Sequence, residues 1–219
     1  MMKLYIIHFK LLNANLLTYS MELFKSYFPK EKYFNVSNGK ALYDYAEFIN
    51  GTSFKKKEYA DAGIPIIKIA ELKNGITDNT QYFDGKKDHK YDVKNGDILF
   101  SWSGNPQTSI DTFVWHNGDG ILNQHTFNVH AYNDHKWFIF ILLKVFKPIF
   151  TSIAKNKQTT GLGHVTQKDL KRLTFKEDKN EILSFERIID PLMEMYYSNL
   201  KQNQILSQIK NRITFKLLN

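Results

Sequence analysis

The chain contains no cysteine among its 219 residues. That absence removes disulfide frameworks, thiolate zinc sites and cysteine nucleophiles together. Proline is scarce, and its five copies never stand side by side. The Asn/Asp-Pro-Pro-aromatic segment with which amino methyltransferases hold a flipped base is therefore missing. No G-x-x-x-x-G-K-[ST] loop and no G-x-G-x-x-G is present, and Gly161-Leu162-Gly163-His164 is too short for either, so phosphate cradles are unsupported. Seven histidines are scattered without ligand spacing, and the turn-like Asn133-Asp134 separates His130 from His135. A clean long apolar run is lacking too. Lys3, His8, Lys10 and Asn13 interrupt Met1–Leu17, and no small-residue cleavage site follows, which argues against a signal peptide. Lys144, Lys147 and Pro148 interrupt Trp137–Ile153, which falls short of the ~20 apolar residues of a spanning helix. A soluble, cytoplasmic protein is the expectation.

What the chain does have is positive charge. Lys and Arg number 30, almost all Lys, against 22 Asp and Glu, for a net +8. Such a surplus suits a polyanion, because neutralised phosphates release condensed counterions. Apolar residues make up 42%, enough for a sizeable core.

Three zones follow. Residues 1–40 form a helical tail and linker: Leu12, Leu16, Tyr19, Leu23 and Phe24 mark a helix over 11–28, closed by Pro29 and a polar run with the Asn38-Gly39 turn. Residues 41–176 carry short β-type runs: Tyr45–Ile49, Ile64–Ile69, Asp97–Trp102, Thr112–Trp115 and Thr126–His130. Repeated Asn-Gly and Asp-Gly pairs between them supply positive φ angles for tight connections. A helix over 134–154 follows, with Pro148 bending or ending it. This reads as a loop-rich α+β domain with a curved sheet. Residues 177–219 hold one long amphipathic, coiled-coil-type helix. Its stripe is Phe185, Ile189, Leu192, Tyr196, Leu200, Asn203, Leu206, Ile209, Ile213 and Leu217, with Pro191 a kink point. At roughly 55 Å the helix outruns a compact neighbour, so much of the stripe is expected to meet a partner. Asn203 either fixes register within that seam or faces solvent beside it.

Catalytic chemistry is thin. Asp61 with Glu71-Leu72-Lys73 is the one arrangement resembling a carboxylate pair with a lysine that could activate water on Mg²⁺, as nucleases do. Binding chemistry is richer. Ser53, Lys55, Lys56 and Lys57 follow an Asn-Gly turn. Ser101, Trp102, Ser103, Asn105, Gln107 and Thr108 form a small polar loop with one aromatic. Gln124, His125, Lys155, Lys157, Gln158, Thr159 and Thr160 add amides, hydroxyls and cations. Amides pair with adenine and lysine with guanine, while lysines and hydroxyls also hold the backbone.

These residues resemble the specificity subunits of type I restriction–modification systems. The resemblance runs through Asp44-Tyr45-Ala46-Glu47-Phe48-Ile49-Asn50-Gly51, Phe54, Tyr59 and Gly63-Ile64-Pro65-Ile66-Ile67-Lys68-Ile69. It continues in Gly96-Asp97-Ile98-Leu99-Phe100-Ser101-Trp102-Ser103-Gly104, in Asn123-Gln124-His125, and in the late loop Thr159–Thr166 with His164. The third zone is similar to the family's spacer helix. Two recognition domains and two spacer helices are usual there, whereas this chain has one of each, with 16–28 resembling the end of a central helix. The resemblance implies a non-catalytic subunit whose 41–176 domain reads one half of a bipartite DNA target, with Lys68 and His164 among the contacts. Its long helix would dock methyltransferase subunits and, through them, a restriction motor. S-adenosylmethionine would be bound by the methyltransferase, with no cofactor or metal in this chain. A homodimer, pairing with another half-subunit, or a regulatory fragment that only binds methyltransferase subunits all follow from the half-length form.

Overall fold

A computed structural model describes residues 2–158 and 161–218. The chain opens with α1 (Met2–Tyr27), α2 (Lys30–Tyr33), β1 (Lys40–Ala41), β2 (Ala46–Asn50), β3 (Ile64–Ile67) and α3 (Ile69–Asn74). Then come β4 (Tyr82–Phe83), β5 (Asp92–Val93), β6 (Ile98–Ser101), β7 (Ser103–Gly104), β8 (Asp111–Val114), β9 (Gly120–Leu122) and β10 (Thr126–Ala131). It closes with α4 (Lys136–Asn156), β11 (Gly163–His164), α5 (Gln167–Arg172), β12 (Thr174–Phe175) and α6 (Lys179–Leu218).

The strands divide between two four-stranded sheets, β2-β10-β6-β8 and β4-β3-β9-β5, and two ribbons, β1-β12 and β11-β7. The first sheet is antiparallel throughout, while β3 and β9 run parallel in the second. Period-2 alternation sorts the β6 side chains. Ile98 and Phe100 join the main core beneath α4, where Phe100 lies 5.1 Å from Phe150 between ring centroids. Leu99 turns the other way and is buried with Ile67, Val93, Trp115 and Leu122 of the second sheet and its flanks. The first sheet is thus covered on both faces.

α4 is the one described helix long and apolar enough to cross a membrane. It is a core helix, with Trp137 to Leu143, Phe146, Phe150 and Ala154 buried. It runs through the exposed Pro148 to Asn156, and α6 likewise continues through the exposed Pro191. Lys144 and Lys147 bond the two oxygens of Asp111 on β8 at 2.8 and 2.5 Å. Burial works against every charge here and pulls the Lys144 ammonium down. Burial also pushes the Asp111 carboxyl up, but the Lys144 and Lys147 ammonium groups outweigh it and hold the carboxyl below its usual value.

α1 begins at Met2, well ahead of the helix expected over 11–28. Lys3, His8 and Lys10 lie on its exposed face, so they interrupt the apolar run without interrupting the helix. α1 and α6 pack antiparallel. Phe24 meets Phe185 at 5.4 Å, and toward the other end Asn13 meets Tyr196 and Asn199. Asn13 Nδ2 donates to the Tyr196 carbonyl at 3.0 Å, and Asn199 Nδ2 donates to Asn13 Oδ1 at 2.8 Å. This buried pair fixes the helix register, a role the sequence pattern had offered to Asn203. Asn203 is half-buried, and its Oδ1 has no partner among the described residues.

The expected partner stripe is corrected by the same packing. Phe185 and Ile189 have no exposed surface, and Leu192, Tyr196 and Leu200 pack against the same core. Leu206 is half-buried beside Tyr5 and Phe9 of α1. The chain's own α1 and α4 cover this face, so a partner cannot reach Phe185 or Ile189. Ile209 and Ile213 remain exposed, alongside Leu183, Ile188, Met195 and Ile205.

Asn13→Ala leaves the Asn199 amide and the Tyr196 carbonyl without their partner, and is expected to lower stability by about 1–3 kcal/mol in denaturant unfolding. The double substitution Asn13→Leu with Asn199→Leu removes the unmet polar groups and is expected to lie closer to the unsubstituted chain. Asp111→Asn strands the Lys144 charge and is expected to cost about 3 kcal/mol at neutral pH. Because the Asp111 carboxyl is held low, its contribution is present above the ordinary aspartate range and is lost as pH falls through its depressed value. The difference between the two proteins therefore shrinks on acidification.

Candidate nucleic-acid interface

Antiparallel pairing brings the end of β2, the end of β6 and the start of β10 to one edge of the first sheet: Phe127 pairs with Asn50, and Thr126 with Ser101. Three segments leave from this edge. Gly51 follows Asn50 and passes so close to the chain after β9 that an added Cβ would lie 2.2 Å from the Asn123 carbonyl oxygen. Here glycine is needed for approach rather than for positive φ. Trp102 follows β6, and Gln124-His125 precede β10.

Trp102 organises the edge. Its backbone N–H donates to the His125 carbonyl at 3.3 Å, and its own carbonyl accepts from Val165 N–H at 2.8 Å. Its indole Nε1 donates to Asn50 Oδ1 at 2.9 Å. The ring lies 5.7 Å from His125 and 5.8 Å from Phe127. Ser103 and Gly104 of β7 pair with His164 and Gly163 of β11, which fastens the late loop to the Trp102 loop. Next along the chain, Asn105 Oδ1 accepts from the backbone of Gln107 and Thr108 at 3.0 and 3.1 Å and holds its own turn. That turn faces the end of α4 across a recess lined by Asn105, Pro106, Gln107, Lys155 and Gln158. Of the expected contacts, then, Trp102, Ser103, Gln124, His125 and His164 come together, with Asn105, Gln107, Thr108, Lys155 and Gln158 grouped on the adjoining turn.

Others are placed differently. Ser53 and the exposed Lys55, Lys56 and Lys57 stand on the loop after β2, beside Phe54, which packs on Phe83 of the second sheet at 5.4 Å. Lys55 N–H donates to Glu58 at 2.7 Å and the Ser53 carbonyl accepts from Lys87, so this turn is tied internally while the Lys55, Lys56 and Lys57 ammonium groups meet no carboxylate among the described residues. Lys68 lies 4.8 Å over the Tyr59 ring and bonds Gln81. Ser101 is fully buried, with no partner for its hydroxyl among the described residues, and so cannot touch a ligand. Lys157 bonds both oxygens of Asp169 at 2.6 and 2.5 Å, so its charge is already met. Thr159 and Thr160 lie outside the described residues, as does the side chain of Leu217.

Asp169 also accepts from the Thr166 backbone and hydroxyl, each at 2.7 Å, at the start of α5. Burial pushes its carboxyl up, but Lys157 and Thr166 prevail and hold it below the usual range.

The nuclease arrangement does not form. Glu71 is buried and caps α3, accepting from Lys68 N–H at 3.0 Å and from the Thr80 hydroxyl at 3.2 Å. Asp61 and Lys73 are exposed. No group of three His, Asp or Glu able to hold a metal exists among the described residues. Sequence reading also missed Asn50, Phe127, Thr166, Gln167 and Lys168 around Trp102. Asn50 carried a signal, but as half of an Asn-Gly turn it read as backbone geometry.

A two-sheet domain that gathers amides, an indole and cations at one sheet edge, bracketed by an antiparallel helix pair, defines a recognition module. The type I restriction modification DNA specificity domain matches residues 37–177, and the chain belongs to that family. The HsdS subunit of Thermoanaerobacter tengcongensis is similar in structure, with TM-score 0.56 and 14% identity over 93% of this chain and 51% of that one. A type I restriction–modification S subunit from M. genitalium gives TM-score 0.57 and 13% identity over 96% and 54%. A third structure, described for complex assembly and conformational transition of the type I system, gives TM-score 0.51 and 14% identity over 96% and 54%. The chain spans about half the length of these solved chains. None of the curated proteins matches it.

Asp169→Asn, by weakening both the α5 cap and the hold on Lys157, is expected to cost about 1 kcal/mol in thermal unfolding.

Proposed function

We propose that the chain is the DNA-reading half of a type I specificity subunit, without a catalytic centre of its own. The observation that carries this is the meeting of Trp102, Gln124, His125 and His164 at one exposed sheet edge, in a member of the DNA specificity family with net charge +8. Amides and imidazoles on short, tied loops suit base edges in the major groove, and Lys155 with Lys55–Lys57 suits phosphates. One module of this kind reads one half of a bipartite target.

The other half-site is read by a second module of the same kind, supplied by a second copy or by another half-subunit. A symmetric dimer would read a palindromic split site. The α1–α6 pair supplies the assembly surface. Its inner seam is closed within the chain, so methyltransferase subunits dock on the outer side, where Ile188, Met195, Ile205, Ile209 and Ile213 are exposed. Those subunits bind S-adenosylmethionine and methylate adenine, and a motor subunit joins through them. This chain holds no cofactor or metal, and the assembly works in the cytoplasm.

Co-expression with a type I methyltransferase subunit, followed by genome-wide mapping of methylated adenines, tests the proposal. The expected result is methylation confined to one split motif. Tight binding to the methyltransferase subunit without any motif would instead mark a fragment that only sequesters it. Purified chain cutting DNA with Mg²⁺ alone would restore the nuclease reading.

A further inference from the structure

We propose that the corner formed by Asn50 and Trp102 reads a thymine in the half-site. Asn50 Nδ2 would donate to thymine O4, and the C5 methyl group would enter the recess floored by Trp102 and Phe127. The inference rests on the DNA-recognition reading above and deepens it.

An indole N–H can only donate. The 2.9 Å bond from Trp102 Nε1 must therefore end on the amide oxygen of Asn50, which settles which way that amide points. The Nδ2 group is left without a partner among the described residues, on an exposed side chain. The backbone beneath it is held by pairing with Phe127 and by the close passage of Gly51 against Asn123. A free asparagine reads adenine bidentately, its oxygen accepting from N6 while its nitrogen donates to N7. Asn50 has its oxygen engaged and presents a donor.

In the major groove a lone donor meets purine N7, guanine O6 or thymine O4. The surface beside it decides among these. The adjoining recess is lined by Asn50, Trp102, Phe127, Thr166, Gln167 and Lys168. The Trp102 and Phe127 rings form its floor, 5.8 Å apart. The Thr166 hydroxyl is turned away, bonded to Asp169 at 2.7 Å. An aromatic floor with no free hydroxyl suits a methyl group, and among the four bases only thymine sets a methyl beside an acceptor. Lys168 stands exposed on the rim, where a backbone phosphate would pass.

The test uses the full chain in selection from randomised duplexes at low salt, followed by titration of the enriched site. The unsubstituted chain is expected to enrich an A·T pair whose thymine, replaced by uracil, weakens binding about fourfold through the lost methyl. Asn50→Asp reverses the polarity and keeps the indole bond. Its selected base is expected to shift to cytosine, which offers an N4 donor, and 5-methylcytosine should bind better than cytosine. Trp102→Phe frees the amide and is expected to relax the preference at that position, with thermal unfolding checking that the fold holds. An unchanged motif in Asn50→Asp, or uracil bound as well as thymine at every position, overturns the inference while leaving DNA recognition standing. No enrichment by the unsubstituted chain overturns both.

Discussion

Everything in this molecule is referred to one aromatic cluster. Phe24 and Phe28, at the end of α1, have no exposed surface. Phe24 lies 5.7 Å from Phe138 of α4, 5.8 Å from Phe175 of β12 and 5.4 Å from Phe185 of α6. Phe28 repeats those three contacts at 5.7, 5.4 and 5.6 Å and adds Tyr33 of α2 at 5.2 Å. Rings in such offset and edge-on pairs contribute about 0.5–1.5 kcal/mol each beyond the area they bury. The cluster joins elements from both ends of the chain to the domain between them. The helix pair and the recognition sheet are therefore not a module and a tail: α4 packs on the sheet with one side and on α1 and α6 with another.

That arrangement gives the sheet edge its rigidity. The loops around Trp102 are short and tied by backbone bonds to neighbours far away in sequence, Val165 and His125 among them. Polar groups near the edge fall into two kinds. Lys157, Asp169 and the oxygens of Asn50 and Asn105 hold the loops in place. Gln124, His125, Lys155 and the Asn50 amino group face outward. The first kind fixes where the second kind points.

The sequence pattern located the five main strands, α4 and α6, because alternation and helical spacing are local properties. The very short elements escaped it. Two residues of β7 or β11 carry no period and exist only because the partner strand is there. α1 was expected only from residue 11; Lys3, His8 and Lys10 ahead of that point sit on the outer face of a helix that already runs from Met2, and Asn13 within it is bonded across to α6. At the candidate site, residue type marked loops that the fold brings together, but not which of their atoms stay open to a ligand. Ser101 and Trp102 are adjacent, yet one is sealed inside and the other is half-exposed, since Ser101 is the last residue of a strand covered on both faces and Trp102 lies just past its end.

The sequence by itself determined the class: a basic, cysteine-free α+β chain with a long C-terminal helix and the ordered motifs of the DNA specificity family. All but the last are matters of composition and period, and the last is a resemblance carried by several segments in order. Only the tertiary structure decided what the long helix meets and which cations are free. An apolar stripe reads the same whether it is covered by the chain's own first helix or by another protein. A lysine reads the same whether or not a carboxylate from another helix lies 2.5 Å away. Burial and charge pairing depend on which segments meet, and that is set by the aromatic cluster joining the two chain ends.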